Sequence, residues 1–300
     1  MDLLPYQDST DTGELVVGAG SRTTTGKLET TARTVELVPG VRLGLSIDPQ
    51  RRCLGRPTMA GDWVRCPDNA TVTSGRTCAR CAELDPYRWM HIAHRSQYPP
   101  DPALREHLMR PHWLYVATFA GGASKVGTAV DERKSARLDE QGPVFAHWVG
   151  LAADGLQVRD WEDRVSREVS LGQVVRPAAK VAGWTTPLDL DTLTLAHRRA
   201  VARTVAFLDA LPEGNAIAEA WPNPRDPESL QGLTIREYPG HLGSGRHGFT
   251  IDQMWGPVAL VRLDGDPTAL WSVDLSAAVG HHLSFGPYVT ALPEVQDGLF

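Results

Sequence analysis

The sequence predicts an α+β protein, and three observations predict it. After Pro111 the chain reads as a β-hairpin, a helix, a strand and a second helix within about 60 residues. Toward both ends it turns to short β-branched runs broken by Gly, Pro and Asp turns. All four cysteines fall between Cys53 and Cys81, where apolar periodicity is nearly absent, so something other than an apolar core organises that stretch.

A chain of 300 residues is about twice the usual single-domain size, and these patterns divide it. Residues 1–50 read as an N-terminal β segment, 51–112 as a four-cysteine zinc module, 113–184 as a small α/β core, 185–222 as a connecting helix and 223–300 as a C-terminal β-rich domain. In the first segment a lead precedes runs at 14–18, 31–38 and 41–47 that alternate in part, as short antiparallel strands do. A linker at Tyr98-Pro99-Pro100-Asp101-Pro102 precedes a short helix at 103–109. The core follows with a hairpin of 113–119 and 124–128, a charged helix over 130–141 ended by Gly142-Pro143, a strand at 144–149 and a helix over 157–171. The longest helical stretch is 190–211, with apolar Leu193, Leu195, Ala196, Ala200, Val201, Val205 and Leu208. Strands at 249–251, 258–263, 270–275 and 282–285 close the chain.

Composition narrows the class. With 42% hydrophobic and 22% charged residues the chain is that of a soluble globular protein. No apolar run approaches the ~20 residues of a membrane span. The stretch Met1 to Asp8 lacks the basic and apolar regions of a secretory signal, so the expected location is cytoplasmic, with no membrane partner. The formal net charge of -6 argues against a protein that coats nucleic acid, but it hides a local reversal. Residues 51–112 carry 10 basic and 6 acidic groups and are the one basic segment; 113–180 are balanced at 9 and 9, and 181–300 carry 7 and 14. Of the 30 basic residues only four are Lys: Lys27, Lys125, Lys134 and Lys180.

Cys53, Cys66, Cys78 and Cys81 are the candidate metal ligands. A Cys-x2-Cys pair puts two sulfurs on one tight turn, within reach of one tetrahedral ion, and two thiolates from another loop complete a structural zinc shell. Arg52, Arg65, Arg76 and Arg80 beside them offset the negative charge of a zinc held by four thiolates. His91 and His94, just downstream, read as surface histidines rather than ligands. Gly18-Ala19-Gly20 lacks the helix and third glycine of a dinucleotide loop. The glycines around His241 and His247 read as a plain turn, and His281 and His282 point to opposite faces of a strand. Trp113, Trp148, Trp161, Trp184 and Trp221 offer bases a stacking surface, though core packing is the commoner use.

Leu114-Tyr115-Val116, then Lys125-Val126-Gly127, a helix carrying Arg137 and a later helix carrying Glu162 together resemble the GIY-YIG endonuclease core. From Cys53 to about Trp184 the chain resembles an uncharacterised bacterial family that joins a cysteine cluster to such a core and ends in a β-rich region. The resemblance implies phosphodiester hydrolysis with one Mg²⁺. In that scheme Tyr115 positions the attacking water, Arg137 steadies the phosphate and leaving group, and Glu162 binds the metal. Arg133 and Glu168 are the second candidates. Lys125 stands where the family has a tyrosine, and as a phosphate clamp or base it joins Tyr115, Arg137 and Glu162 as a candidate catalytic residue. Gln141, four after Arg137, stands where many of these nucleases place His or Tyr and cannot move protons.

The expected function is therefore directed at nucleic acid, DNA or structured tRNA-like RNA, by a zinc module that docks phosphate and a core that cuts a phosphodiester or only binds it. The rival is an enzyme or binding module for a small phosphorylated or aminoacylated molecule, which suits the acidic total charge. A continuous groove of Arg52, Arg65, Arg76, Arg80 and Arg137 favours the first; interrupting acids beside a closed pocket favour the second.

Overall fold

The computed structural model describes residues 34–97, 99–186 and 189–292, together with the backbone of three short strands before them. Those strands are β1 (Thr12–Glu14), β2 (Val16–Ala19) and β3 (Gly26–Glu29). Next come β4 (Thr34–Leu37), β5 (Arg42–Arg51), β6 (Arg56–Pro57), β7 (Trp63–Val64), α1 (Ala79–Glu83) and α2 (Pro102–Leu108). The middle of the chain supplies β8 (His112–Thr118), β9 (Ser124–Val130), α3 (Lys134–Gln141), β10 (Phe145–Ala152) and α4 (Gly155–Glu168). After it come α5 (Pro177–Trp184), α6 (Leu190–Asp209) and β11 (Ala216–Ala220). The last strands are β12 (Ile235–Glu237), β13 (Gly245–Trp255), β14 (Val258–Leu263), β15 (Asp266–Asp274) and β16 (His281–Phe285). The expected lead up to residue 11, residues 31–33 of the second expected strand, and Tyr98 of the linker lie outside the described residues.

The chain is α+β. A four-stranded antiparallel sheet runs in the order β11-β10-β8-β9, with β8 buried along its whole length. Successive side chains of β8 point to opposite faces. Leu114 and Val116 face Val158, Trp161 and Val165 of α4 and Val201 and Leu208 of α6. Trp113, Tyr115 and Ala117 face the other way, toward Leu138 of α3. The hairpin of β8 and β9 and the helix and strand after it appear in the expected order; α3 begins at Lys134 after a single 3-10 turn, and α4 ends at Glu168. Asp154 caps α4, accepting from the Leu156 and Gln157 amides at 2.8 Å each. Gly142 ends α3 with φ +66°, and a Cβ there meets the Trp255 backbone at 2.2 Å, so turn geometry and close approach both require glycine.

The second sheet has seven strands in the order β1-β16-β5-β13-β14-β15-β12. The expected N-terminal and C-terminal β segments meet here, because β5 pairs with both β13 and β16. Alternation along β14 again separates two cores. Ala259, Val261 and Leu263 pack with Leu43, Leu45 and Phe249. Val258 and Leu260 face Trp184 of α5, Val144 and Trp255, which joins this sheet to the four-stranded one. Helix α5, unforeseen from the sequence, lies in that joint, with the Trp184 and Trp255 rings 4.6 Å apart.

Candidate metal centre and cationic site

The cysteine segment is held by backbone turns rather than by periodic elements. The Cys53 amide bonds the Ala70 carbonyl at 2.8 Å, Asn69 turns with φ 42°, and Cys78 caps the short α1 that carries Cys81. These turns bring the four sulfurs within 4.8 Å of one another. The Cys66 and Cys78 sulfurs are 3.8 Å apart. Four sulfurs ~2.3 Å from one tetrahedral zinc are themselves about 3.8 Å apart, so the donor set fits a tetrahedral ion. The amides of Gly55 and Cys78 donate to the Cys53 sulfur at 3.4 and 3.1 Å, and Val72 and Ala70 close the cluster. Burial pushes the Cys53 and Cys81 thiols up, whereas backbone donors led by the Ala70 amide bring Cys66 down to about 7.

The neighbouring histidines do other work. His94 Nε2 lies 2.7 Å from the Asp163 carboxylate on α4, which also accepts from Arg95 Nε at 2.7 Å and from Gln173 at 2.9 Å. Burial alone raises the Asp163 pKa, but the bonds from Arg95, His94 and Gln173 outweigh it and hold the carboxyl well below the usual range. This joint fastens the end of the cysteine module to α4.

Tyr115, Lys125, Arg137 and Glu162 come into one electrostatic neighbourhood. The charges of Arg137 and Glu162 act on both Tyr115 and Lys125. Tyr115 is fully buried, and Arg137 acts on its hydroxyl by charge and by hydrogen bonding. It sits directly over Gly127, where a Cβ meets the hydroxyl oxygen at 2.4 Å, so this glycine makes room for the ring. Desolvation and Glu162 raise the Tyr115 pKa, against the opposing charges of Arg137 and Arg159. Lys125 is 6% exposed; burial first and Arg137 second bring it down to about 8. Glu162, also buried, pairs with Arg159 at 2.6 Å. Of the second candidates, Arg133 pairs with Glu140 at the surface and Glu168 is exposed at the end of α4.

Two further groups belong to the site. Lys125 Nζ donates to the Gln141 side-chain oxygen at 3.0 Å, and Lys180 Nζ of α5 donates to the Gln141 backbone oxygen at 2.7 Å. Lys180 is 7% exposed, and burial, then Lys125 and Arg137, bring it down to about 7. Thus two of the chain's four lysines meet on one glutamine. Gln141 does not carry protons here, but it gathers the cations. Lys180 was invisible in the sequence because α5 carries no amphipathic stripe to mark its inward face.

The implied Mg²⁺ does not fit this donor set as a resident ion. Glu162 is already engaged by Arg159, and Lys125, on which its charge acts, and Arg137, which acts on the same lysine, are cations. Among the described residues, the four cysteines form the one group of three or more His, Cys, Asp or Glu placed to share an ion. No helix among the described residues is long and apolar enough to cross a membrane. Trp113, Trp148, Trp161, Trp184 and Trp221 are all core residues, while Trp63 and Trp89 on the cysteine module stand exposed. Comparison of the chain with protein-family models, with curated proteins and with solved structures finds no match.

Proposed function

We propose that the protein acts on the phosphate groups of nucleic acid, with a structural zinc holding the module that docks the strand and a GIY-YIG-like core that receives one phosphate. The observation that carries this reading is the convergence of Lys125 and Lys180 on Gln141, with the Arg137 charge acting on both. Buried cations without matching acids are costly unless they meet an anion. The strand order, with β8 between β9 and β10 and helices α3 and α4 following in turn, supports the resemblance to the nuclease core. The basic module adds Arg65 and Arg76, both exposed, and Trp63 and Trp89, on which bases can stack. Arg80 is balanced by Asp68 at 3.0 Å, and Arg52 turns to the Asn69 carbonyl, so these two contribute less to docking.

In this reading the Lys125 ammonium holds a phosphate oxygen, and Arg137 faces the charge that builds on the phosphate oxygens as water attacks. Tyr115, whose hydroxyl meets Arg137, orients that guanidinium. Glu162 holds Arg159 in place. A second reading, a small phosphorylated or aminoacylated ligand, is favoured by one feature: Lys125, Lys180 and Glu162 are each less than 10% exposed, as in a closed pocket.

A panel of DNA and RNA oligonucleotides, with and without Mg²⁺, tests the choice on the wild type, Lys125→Met and Glu162→Ala. Binding in the wild type that weakens at least tenfold in Lys125→Met supports the nucleic-acid reading. Cleavage lost in the same variant adds the catalytic role. Neither binding nor cleavage by the wild type turns the assignment to the small ligand.

A further inference from the structure

We propose that Lys180 and Lys125 clamp one phosphate group between them, so that α5, and through it the seven-stranded sheet, supplies a direct ligand of the core. The proposal rests on the phosphate reading above and extends it to a residue outside the resemblance. Both ammonium groups converge on Gln141, Lys125 at 3.0 Å from its side-chain oxygen and Lys180 at 2.7 Å from its carbonyl and 3.5 Å from the same side-chain oxygen. Among the described residues neither lysine has a carboxylate within ion-pair distance, although ten other lysine and arginine side chains do. Each ammonium instead lies over an aromatic ring, Lys125 5.5 Å from the centre of Tyr115 and Lys180 4.6 Å from that of Phe119. The rings and the Gln141 oxygens hold the two ammonium groups close together, and the paired charges, with no acid between them, make a site for an anion.

The placement of Lys180 is fixed from outside the core. At Gly121 and Gly183 the backbones of the β8–β9 turn and α5 approach so closely that a Cβ on Gly183 lies 2.5 Å from the Gly121 nitrogen. Ser272 of β15 donates to the Val181 carbonyl at 3.3 Å. Two like charges held together in this way destabilise the fold, and such arrangements gather at sites that bind or react. Phosphate between them converts the repulsion into two charge-assisted hydrogen bonds.

The competing role for Lys180 is structural, as a cap on the last carbonyls of α3. Titration calorimetry of inorganic phosphate into the zinc-loaded full chain separates the two. The wild type is expected to bind; Lys180→Met and Lys125→Met each weaken binding at least tenfold, and Lys134→Met, a lysine paired with Glu219 elsewhere, leaves it unchanged. In phosphate-free buffer Lys180→Met melts no lower than the wild type, because a buried charge has gone. Lys180→Gln, which keeps an N–H for the Gln141 carbonyl, serves if the methionine variant does not fold. Phosphate binding by Lys180→Met or Lys180→Gln equal to the wild type, or none by the wild type, overturns the clamp. Nucleic-acid binding that survives Lys180→Met also overturns it while leaving the nucleic-acid reading intact. Phosphate binding that needs Lys180, in a wild type that ignores nucleic acid, supports the clamp and overturns that reading.

Discussion

The cysteine module and the lysine site are electrostatic opposites built by the same device. In the first, four thiols from turns and one short helix come within 4.8 Å, a set that as thiolates binds a cation. In the second, Lys125 and Lys180 meet on Gln141 with the Arg137 charge acting on both, a set suited to an anion. The difference lies in what does the gathering. Around the sulfurs the module has little apolar core, Val72 and Ala70, and its larger cluster of Ala93, Leu104 and Leu108 lies apart, so the proposed zinc is what would hold the cysteine turns. The lysines sit between two full cores, and the surrounding packing holds them against their own repulsion. An ion in the module would serve structure, whereas the anion proposed for the lysine site would serve function.

The largest effect is therefore expected from the metal. Purified protein should carry one equivalent of zinc, and Cys66→Ser should lose it. Apparent binding energies of structural zinc sites are ~10–16 kcal/mol, so loss of one thiolate is expected to unfold the 53–81 region outright. Limited proteolysis should then cut between Cys53 and Cys81 while the four-stranded sheet, with its own core, stays protected. A chelator that strips the metal and leaves the cleavage pattern unchanged breaks the comparison.

How much of this was legible in the sequence follows from the same contrast. The cysteines announce themselves because all four fall within one short stretch, and sulfur has few other reasons to cluster. The hairpin was legible because Leu114, Tyr115 and Val116 alternate between two cores. Lys180 was not, because it follows Lys125 by 55 positions and reaches Gln141 only once α5 is wedged against Trp255 and Ser272. The pairing of β5 with β13 was hidden for a similar reason. Both strands read correctly as strands, but nothing local says that Gly44 faces Gly248, where the bare backbones leave room for Gly286 and Tyr288 to cross.

A smaller effect is expected from pH, and it probes the lysine site alone. An unfolded lysine keeps its proton to about pH 10.4. In the folded chain Lys180 and Lys125 fall to about 7 and about 8, with burial the first cause, Arg137 on α3 adding to it and Glu162 and Asp274 opposing. Between those values and pH 10 the unfolded state holds more protons, so stability rises with pH. The penalty is fully present below pH 7 and fades above it, with a slope of up to about 1.4 kcal/mol per pH unit for each lysine. Urea midpoints should rise from pH 6.5 to pH 9 more in the wild type than in Lys180→Met. Equal rises in the two proteins would falsify the mutual repulsion on which the contrast depends.

The smallest effect concerns the joint between the two regions. His94 and Arg95 end the segment that follows the cysteines, and Asp163 adjoins Glu162 on α4, so their ion pairs tie the module to the helix that flanks the lysine site. The Arg95 side chain is 60% exposed, which reduces its share, whereas those of His94 and Asp163 are at most 10% exposed. Asp163→Asn keeps the size and an oxygen acceptor but removes the charge, and should cost about 1–2 kcal/mol. That carboxylate, held below its unfolded pKa, stabilises the fold above about pH 4 and loses its effect as the pH falls toward its folded value. At neutral pH the variant should therefore show faster amide exchange over Ala93–Arg95, and the difference from the wild type should shrink as the solution is acidified. Unchanged exchange means that the module is held by its other contacts, and that the two ion sites are coupled through the packing of α2 and α4 rather than through charge.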